Sequence, residues 1–213
     1  MKKLLLIALT AVLFAVTGQA QDRKLSYIPT IGYQASTPMD QVGDIGYYSR
    51  LDGFRAGLDI DYKLVDKVSM DLSLRPGLYY SRKGHKIKDI LPVGGPGDSF
   101  DVSVALDYIE LPIQVVLALN WSPTFSAFIN AGPYFGYGVA GQFKGDSSFG
   151  SPYDNGYKRF DAGFQGGFGI EYLRFILGFG VQVGLTNLGM DAAFLLTDKT
   201  TSQTLFVSLG YRF

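Results

Sequence analysis

Apolar residues recur at every second position in eight separate stretches of this chain, and that period belongs to a pleated strand with two unlike faces. The clearest stretch starts at Phe175. Phe175, Leu177, Phe179, Val181, Val183 and Leu185 alternate with Ile176, Gly178, Gly180, Gln182 and Gly184. The last residues repeat it: Leu205, Val207, Leu209, Tyr211 and Phe213 share one face, and Thr204, Phe206, Ser208, Gly210 and Arg212 the other. Six more stretches read alike, beginning near Leu25, Phe54, Val68, Val102, Phe125 and Phe160. No helix-period face competes with them after Gln21.

Eight long alternating strands suit a closed sheet, because closure leaves no edge with unpaired backbone groups. The connections alternate in length. Short ones lie near Val65-Asp66, Trp121-Ser122-Pro123 and Leu173-Arg174, and long ones near Ser36–Gly53, Arg82–Phe100, Gly141–Tyr157 and Asn187–Thr201. That order predicts an all-β fold, an eight-stranded antiparallel up-and-down barrel. In the fourth stretch the phase flips: Val102, Val104, Leu106 and Tyr108 are apolar at even positions, and from Ile109 the odd ones are. A bulge near Tyr108 produces such a flip, and so does a strand that runs past the apolar slab. Pro29, Pro76, Pro112 and Pro133 fall inside strands, where bulges are the obvious accommodation.

Side-chain size decides which face looks outward. The apolar face is bulky, with Leu, Phe, Tyr, Ile and Val on every strand. The other face is crowded with glycine, including Gly57, Gly77, Gly132, Gly163, Gly167, Gly169, Gly178 and Gly180. The interior of an eight-stranded barrel is just wide enough for side chains to fill, so small residues and a few ion pairs fit it and large aliphatics do not. A soluble barrel of lipocalin type would also carry an outer surface rich in Lys and Glu, which is missing. The reading is therefore a transmembrane barrel. Its predicted lumen network is Arg55, Asp59, Asp61, Asp71, Arg75, Glu110, Gln114, Asp161, Gln165, Glu171 and Arg212. An Arg facing lipid costs about 2–4 kcal/mol at midplane, whereas inside it can pair. A structural ion network is the leading reading of Asp59 and Asp61. Acid–base chemistry and a narrow proton or ion path are its rivals. Tyr27, Tyr62, Tyr80, Trp121, Phe125, Tyr172 and Tyr211 sit where interfacial aromatic girdles belong.

The N-terminus has the layout of a secretory signal peptide over residues 1–20. Met1-Lys2-Lys3 is basic, Leu4 to Val16 is apolar apart from Thr10, and Gly18 and Ala20 put small residues before a cut at Gln21. The barrel domain is then expected over residues 21–213. Basic and acidic residues balance at 19 each, which argues against a nucleic-acid partner. There is no cysteine, so thiolate metal sites and cysteine nucleophiles are excluded. No cofactor is expected. Gly136-Tyr137-Gly138-Val139-Ala140-Gly141 fits G-x-G-x-x-G but lies on a strand with no helix after it, which a dinucleotide site requires. Asn120-Trp121-Ser122 matches a glycosylation sequon, yet at a tight turn it reads as an interfacial tryptophan.

His85 is the single histidine, in a predicted loop beside Arg82, Lys83, Lys86 and Lys88. No Gly-x-Ser-x-Gly elbow accompanies it, so a solvated loop histidine is the leading reading and a catalytic base the rival. The basic run offers contacts to lipopolysaccharide phosphates. Ala192, Ala193, Phe194, Leu195 and Leu196 make the 191–196 stretch unusually apolar.

The last strand, ending on Leu209, Tyr211 and Phe213, resembles the C-terminal signal read by the outer-membrane barrel assembly machinery. Tyr108-Ile109-Glu110-Leu111-Pro112, Ala131-Gly132-Pro133-Tyr134, Gly167–Tyr172 and Gly184–Leu188 resemble segments of the small outer-membrane β-barrel domain family, which includes PorT-like and OmpX-like proteins. The resemblance implies a Gram-negative outer membrane, with its lipid and the assembly machinery as partners. Its PorT branch implies secretion-apparatus proteins as partners too. Three functions follow as expectations: a non-enzymatic barrel whose loops serve contact or envelope integrity, a secretion accessory, or an outer-membrane lipid hydrolase or protease. A diffusion pore is a fourth.

Overall fold

The computed structural model describes residues 24–39, 47–88, 102–144, 151–155, 158–186 and 201–213. Eight strands form a closed antiparallel barrel in sequence order: β1 Leu25–Met39, β2 Tyr47–Asp66, β3 Met70–Lys88, β4 Val102–Ser122, β5 Phe125–Lys144, β6 Phe160–Tyr172, β7 Phe175–Gly184 and β8 Thr201–Tyr211. β8 closes on β1, from Thr30↔Gly210 to Met39↔Thr201. The predicted signal peptide, the 191–196 stretch and most of the long connections lie outside the described residues. Among the described residues no helix is long and apolar enough to cross a membrane, which says nothing about a barrel.

The alternation places its faces as their bulk required. Ile31, Phe54, Leu78, Leu111, Ile129, Phe164, Phe168, Phe179, Leu205 and Leu209 are exposed on the outer wall, while Arg55, Asp59, Asp61, Arg75, Glu110 and Asp161 are buried inside. An outer wall this apolar is unfavourable in water and favourable in hydrocarbon. Rings gather where the strands turn at the short-connection end. Trp121 stacks on Phe125 at 5.5 Å, and Tyr211 meets Phe175 at 5.1 Å and Phe213 at 4.8 Å.

Glycine does more in the lumen than save space. Four inward rings each lie over a glycine directly opposite on the neighbouring strand: Tyr79 over Gly57, Phe128 over Gly169, Tyr134 over Gly163 and Phe206 over Gly180. A β-carbon at Gly169 would stand 2.5 Å from Phe128 Cζ, a separation that real atoms do not adopt. Gly169→Val is therefore expected to destabilise the barrel by about 1–3 kcal/mol through overpacking. Urea unfolding from lipid vesicles measures this. Gly166→Ala is the control, since its β-carbon meets only Asn130 O at 3.5 Å.

Three sequence expectations need correction. First, the strands reach further into the long connections than their apolar positions indicated. Ser36–Met39, Tyr47–Gly53, Arg82–Lys88 and Gly141–Lys144 are all strand. The apolar alternation fades before the hydrogen-bonded ladder does. Second, the flip near Tyr108 is not a change of facing. Val104, Leu106, Tyr108, Glu110, Gln114 and Val116 are all buried, so one face of β4 looks inward throughout. A bulge does fall at Asp107/Tyr108, but on the partner strand, and the other reading, a strand that runs past the apolar slab, holds. Asp107 pairs with Ala140 and Tyr108 with Gly138, which leaves Val139 of β5 as the extra residue. Third, the strand prolines do not mark bulges. Pairing lapses at Pro76, Pro112 and Pro133 and then resumes in the same register, for example Pro76↔Ile113 and then Tyr79↔Glu110. A missing N–H removes a ladder bond without inserting a residue. The register shifts fall elsewhere, at Arg50/Arg55, Lys63/Val65, Asp107/Tyr108 and Asn120/Ser122.

Candidate functional site

The lumen is stacked in layers along the barrel axis. At the short-connection end Asp61 is the hub. Its carboxylate accepts from Ser73 Oγ at 2.8 Å, Arg75 Nε at 2.9 Å and Arg212 Nη1 at 2.6 Å. Arg212 also holds Glu171 bidentately, through Nε at 2.7 Å and Nη2 at 2.8 Å. Nearer the rim Lys63 bridges Asp71 at 2.9 Å and Asp66 at 3.1 Å. These groups line an open vestibule of about 680 Å³ that also reaches Trp121 and Phe125. Ile28, Val116, Phe128 and Ile176 form an apolar layer packed with Ala118.

Midway, the Arg55 guanidinium lies between the Tyr79 and Phe206 rings, 4.3 Å from each centroid. Such contacts are worth about 2 kcal/mol or more when desolvated. Asp59 accepts from Tyr79 Oη and, at 3.4 Å, from Thr30 Oγ1. Above this layer Lys83 Nζ reaches Glu110 at 2.5 Å and Asp161 at 3.6 Å, and lies 4.7 Å from the Tyr134 centroid. Gln182 Nε2 donates to Gln165 at 2.7 Å and Glu110 at 3.3 Å. Asp161 accepts from Tyr134 Oη at 3.1 Å and Thr186 Oγ1 at 2.9 Å. At the long-connection end Val104, Leu106 and Tyr108 pack on Tyr153, with Phe143 against them; Tyr153 belongs to a short 3-10 helix, Pro152–Asn155. Gly138 opens space for that ring, since a β-carbon there would fall 2.1 Å from Tyr153 Oη.

The predicted lumen residues therefore share one interior, but among the described residues they form two buried ion-pair groups and a third at the rim. Asp61, Arg75, Glu171 and Arg212 make the first, and Glu110 and Asp161 belong to the second with Lys83. Asp71 pairs with Lys63 near the rim. Gln114 lines the middle, and Asp59 with Arg55 sits between the two groups. Asp59 and Asp61 share the inward face of β2 and accept from different groups, Asp59 from Tyr79 and Thr30, Asp61 from Ser73, Arg75 and Arg212.

The basic run read as a loop is strand. Lys83 turns inward and is buried, and Arg82 Nε pairs with Asp107 at 3.2 Å. His85 is paired in the ladder with Arg50 and Val104 rather than lying in a solvated loop. Lys83 is the buried lumen charge missed by the sequence reading. Its signal was present, because it continues the inward set Arg75, Tyr79 and Ser81 at two-residue spacing. The G-x-G-x-x-G segment runs along β5 and pairs with β4. On the last strand Leu209 is exposed on the outer wall, and Phe213 N–H donates to Tyr27 O at 2.9 Å.

Comparison with known proteins agrees with the geometry. Several solved structures are similar: Ail of Yersinia pestis in complex with the heparin analogue sucrose octasulfate (15% identity, TM-score 0.44, covering 89% of this chain and 99% of that one), and OprG of Pseudomonas aeruginosa (14%, 0.46, 89% and 96%). The outer membrane enzyme PagL is similar at 13% and 0.44, covering 83% and 97%. At these scores the likenesses carry no weight for function. No curated protein matches. Residues 19–189 match the family described as outer membrane protein β-barrel domain. With that match spanning most of a chain that closes into eight lipid-facing strands, the protein belongs to the outer membrane protein β-barrel domain family and is an outer-membrane barrel.

Proposed function

We propose that this chain is a non-enzymatic outer-membrane barrel, exported through a cleaved signal peptide over residues 1–20, whose protruding β2–β5 sheet makes contacts at the cell surface. The observation that carries this reading is the inequality of the strands. β2 to β5 run 19–21 residues, against 13, 10 and 11 for β6, β7 and β8. The surplus lies beyond the apolar band at the long-connection end. Val102–Tyr108 of β4 alone adds about 20 Å of strand at roughly 3.3 Å per residue. Among the described residues the β5–β6 pairing ends at Tyr137↔Phe160, with one further bond from Gly138 N–H to Arg159 O at 2.7 Å, while β5 continues to Lys144 against β4. A strand edge of this kind can accept an extended segment from another protein. In this reading the long-connection end faces outward and the short turns face the periplasm. The packed lumen layers argue against a wide pore, and silence in planar bilayers is expected.

A photo-crosslinker at Val139 or Gln142, used on intact cells, is expected to capture a surface partner, and Val139→Pro is expected to reduce that capture. Crosslinks confined to Val68 and Trp121 at the short turns would instead favour the PorT-like secretion accessory. Capture of lipopolysaccharide alone at the β3 extension would make lipid the partner. Loss of a lipid or peptide hydrolysis activity on His85→Ala would establish the enzyme reading.

A further inference from the structure

We propose that the middle of the lumen contains a built internal water site, a cluster of about three waters held between Arg55, Asp59 and Asn130. Arg55 is buried, at 3% exposure, and its Nε and Nη1 make no hydrogen bond to the described residues. Asp59 Oδ1 and Asn130 Oδ1 are buried and lack a hydrogen-bond partner in the same way. All three residues line one cavity of about 40 Å³, together with Thr30, Gln114 and Gln165. A water needs roughly 10–15 Å³ and two to four polar partners, so the space and the partners agree.

The donor set selects the ligand. Two guanidinium N–H groups, a carboxylate oxygen and an amide oxygen, each without a hydrogen-bond partner among the described residues, belong to residues lining this one cavity. Asp59 opposes an anion, and Arg55 opposes a cation. The volume excludes organic solutes. Water alone donates and accepts at this size. The rings of Tyr79 and Phe206 cover both faces of the guanidinium, so only its edge remains to be satisfied, and a buried donor without a partner is costly. The cluster then links the Asp59–Tyr79–Thr30 group to Gln114 and Gln165, and so joins the two ion-pair layers.

The test is a high-resolution crystal structure of the full barrel grown with bromide, with anomalous data collected. The expected result is water density within hydrogen-bond distance of Arg55 Nε and Nη1, no bromide peak there, and loss of at least one of those waters in Arg55→Met. Asn130→Leu, which removes an acceptor and leaves the guanidinium in place, serves if Arg55→Met fails to fold, and it too is expected to lose a water. A bromide peak at Arg55, a dry cavity, a guanidinium turned onto Asp59, or an unchanged cluster in the folded variants would each overturn the proposal.

Discussion

Asp61→Ala is expected to cost about 3–5 kcal/mol of folding stability, the usual penalty for removing one partner of a buried ion pair. Asp61 is 2% exposed and is the shared acceptor for two arginines and a serine. Without it Arg75 keeps a buried guanidinium with no carboxylate at its Nε, whereas Arg212 retains Glu171. Asp61→Asn keeps an oxygen acceptor and should lose less. Lys63→Ala sets the lower bound. Its pairs with Asp66 and Asp71 sit near the rim, where such pairs contribute at most about 1 kcal/mol. Urea unfolding of the barrel in vesicles reads all three. If Asp61→Ala falls within about 1 kcal/mol of the parent, water replaces the carboxylate freely and the network is not what fixes the lumen.

Ile129→Arg should be the most damaging change on the outer wall, at about 2–4 kcal/mol, because it places a guanidinium against acyl chains near the middle of the apolar run Phe125–Tyr137 of β5. Its partner across the β5–β6 ladder is Phe168, also exposed and apolar. The informative comparison is Val68→Arg. Val68 is more exposed than Ile129, 97% against 59%, yet it stands in the β2–β3 turn rather than on the apolar wall. Surface substitutions in water stay within about 0.5 kcal/mol. Exposure alone ranks the two in the wrong order, and solvent identity reverses it. Equal tolerance at both positions would mean that Ile129 faces water, and the transmembrane reading would fail.

The two faces of each strand were legible because facing is a period-two property and needs no partner. Arg55, Asp59 and Asp61 could be placed inside from β2 alone. Their partners could not. Asp61 meets Arg212 across 151 positions of chain, through the closure of β8 on β1. Lys83 was misplaced for a related reason. It lies past Tyr80, where the apolar alternation of its strand stops, and the pattern that marks a lipid-facing wall says nothing once the wall leaves the lipid. The apolar even positions of β4 are not a trace of the bulge at Val139: Val104, Leu106 and Tyr108 face inward as Glu110 does and cluster with Tyr153. A one-strand reading cannot separate a change of facing from a change of neighbour.

By itself the sequence determined strand number, the order of short and long connections, and which side chains look outward, since these follow from local period, side-chain volume and the solvent each face can tolerate. Only the closed structure decided the register. Register seats Tyr79 over Gly57 and Phe206 over Gly180, divides the buried ion pairs into two groups, and leaves Arg55 between two rings. The reason is that contacts across a barrel are set by hydrogen-bonded alignment between strands distant in the chain, and no single strand carries that alignment.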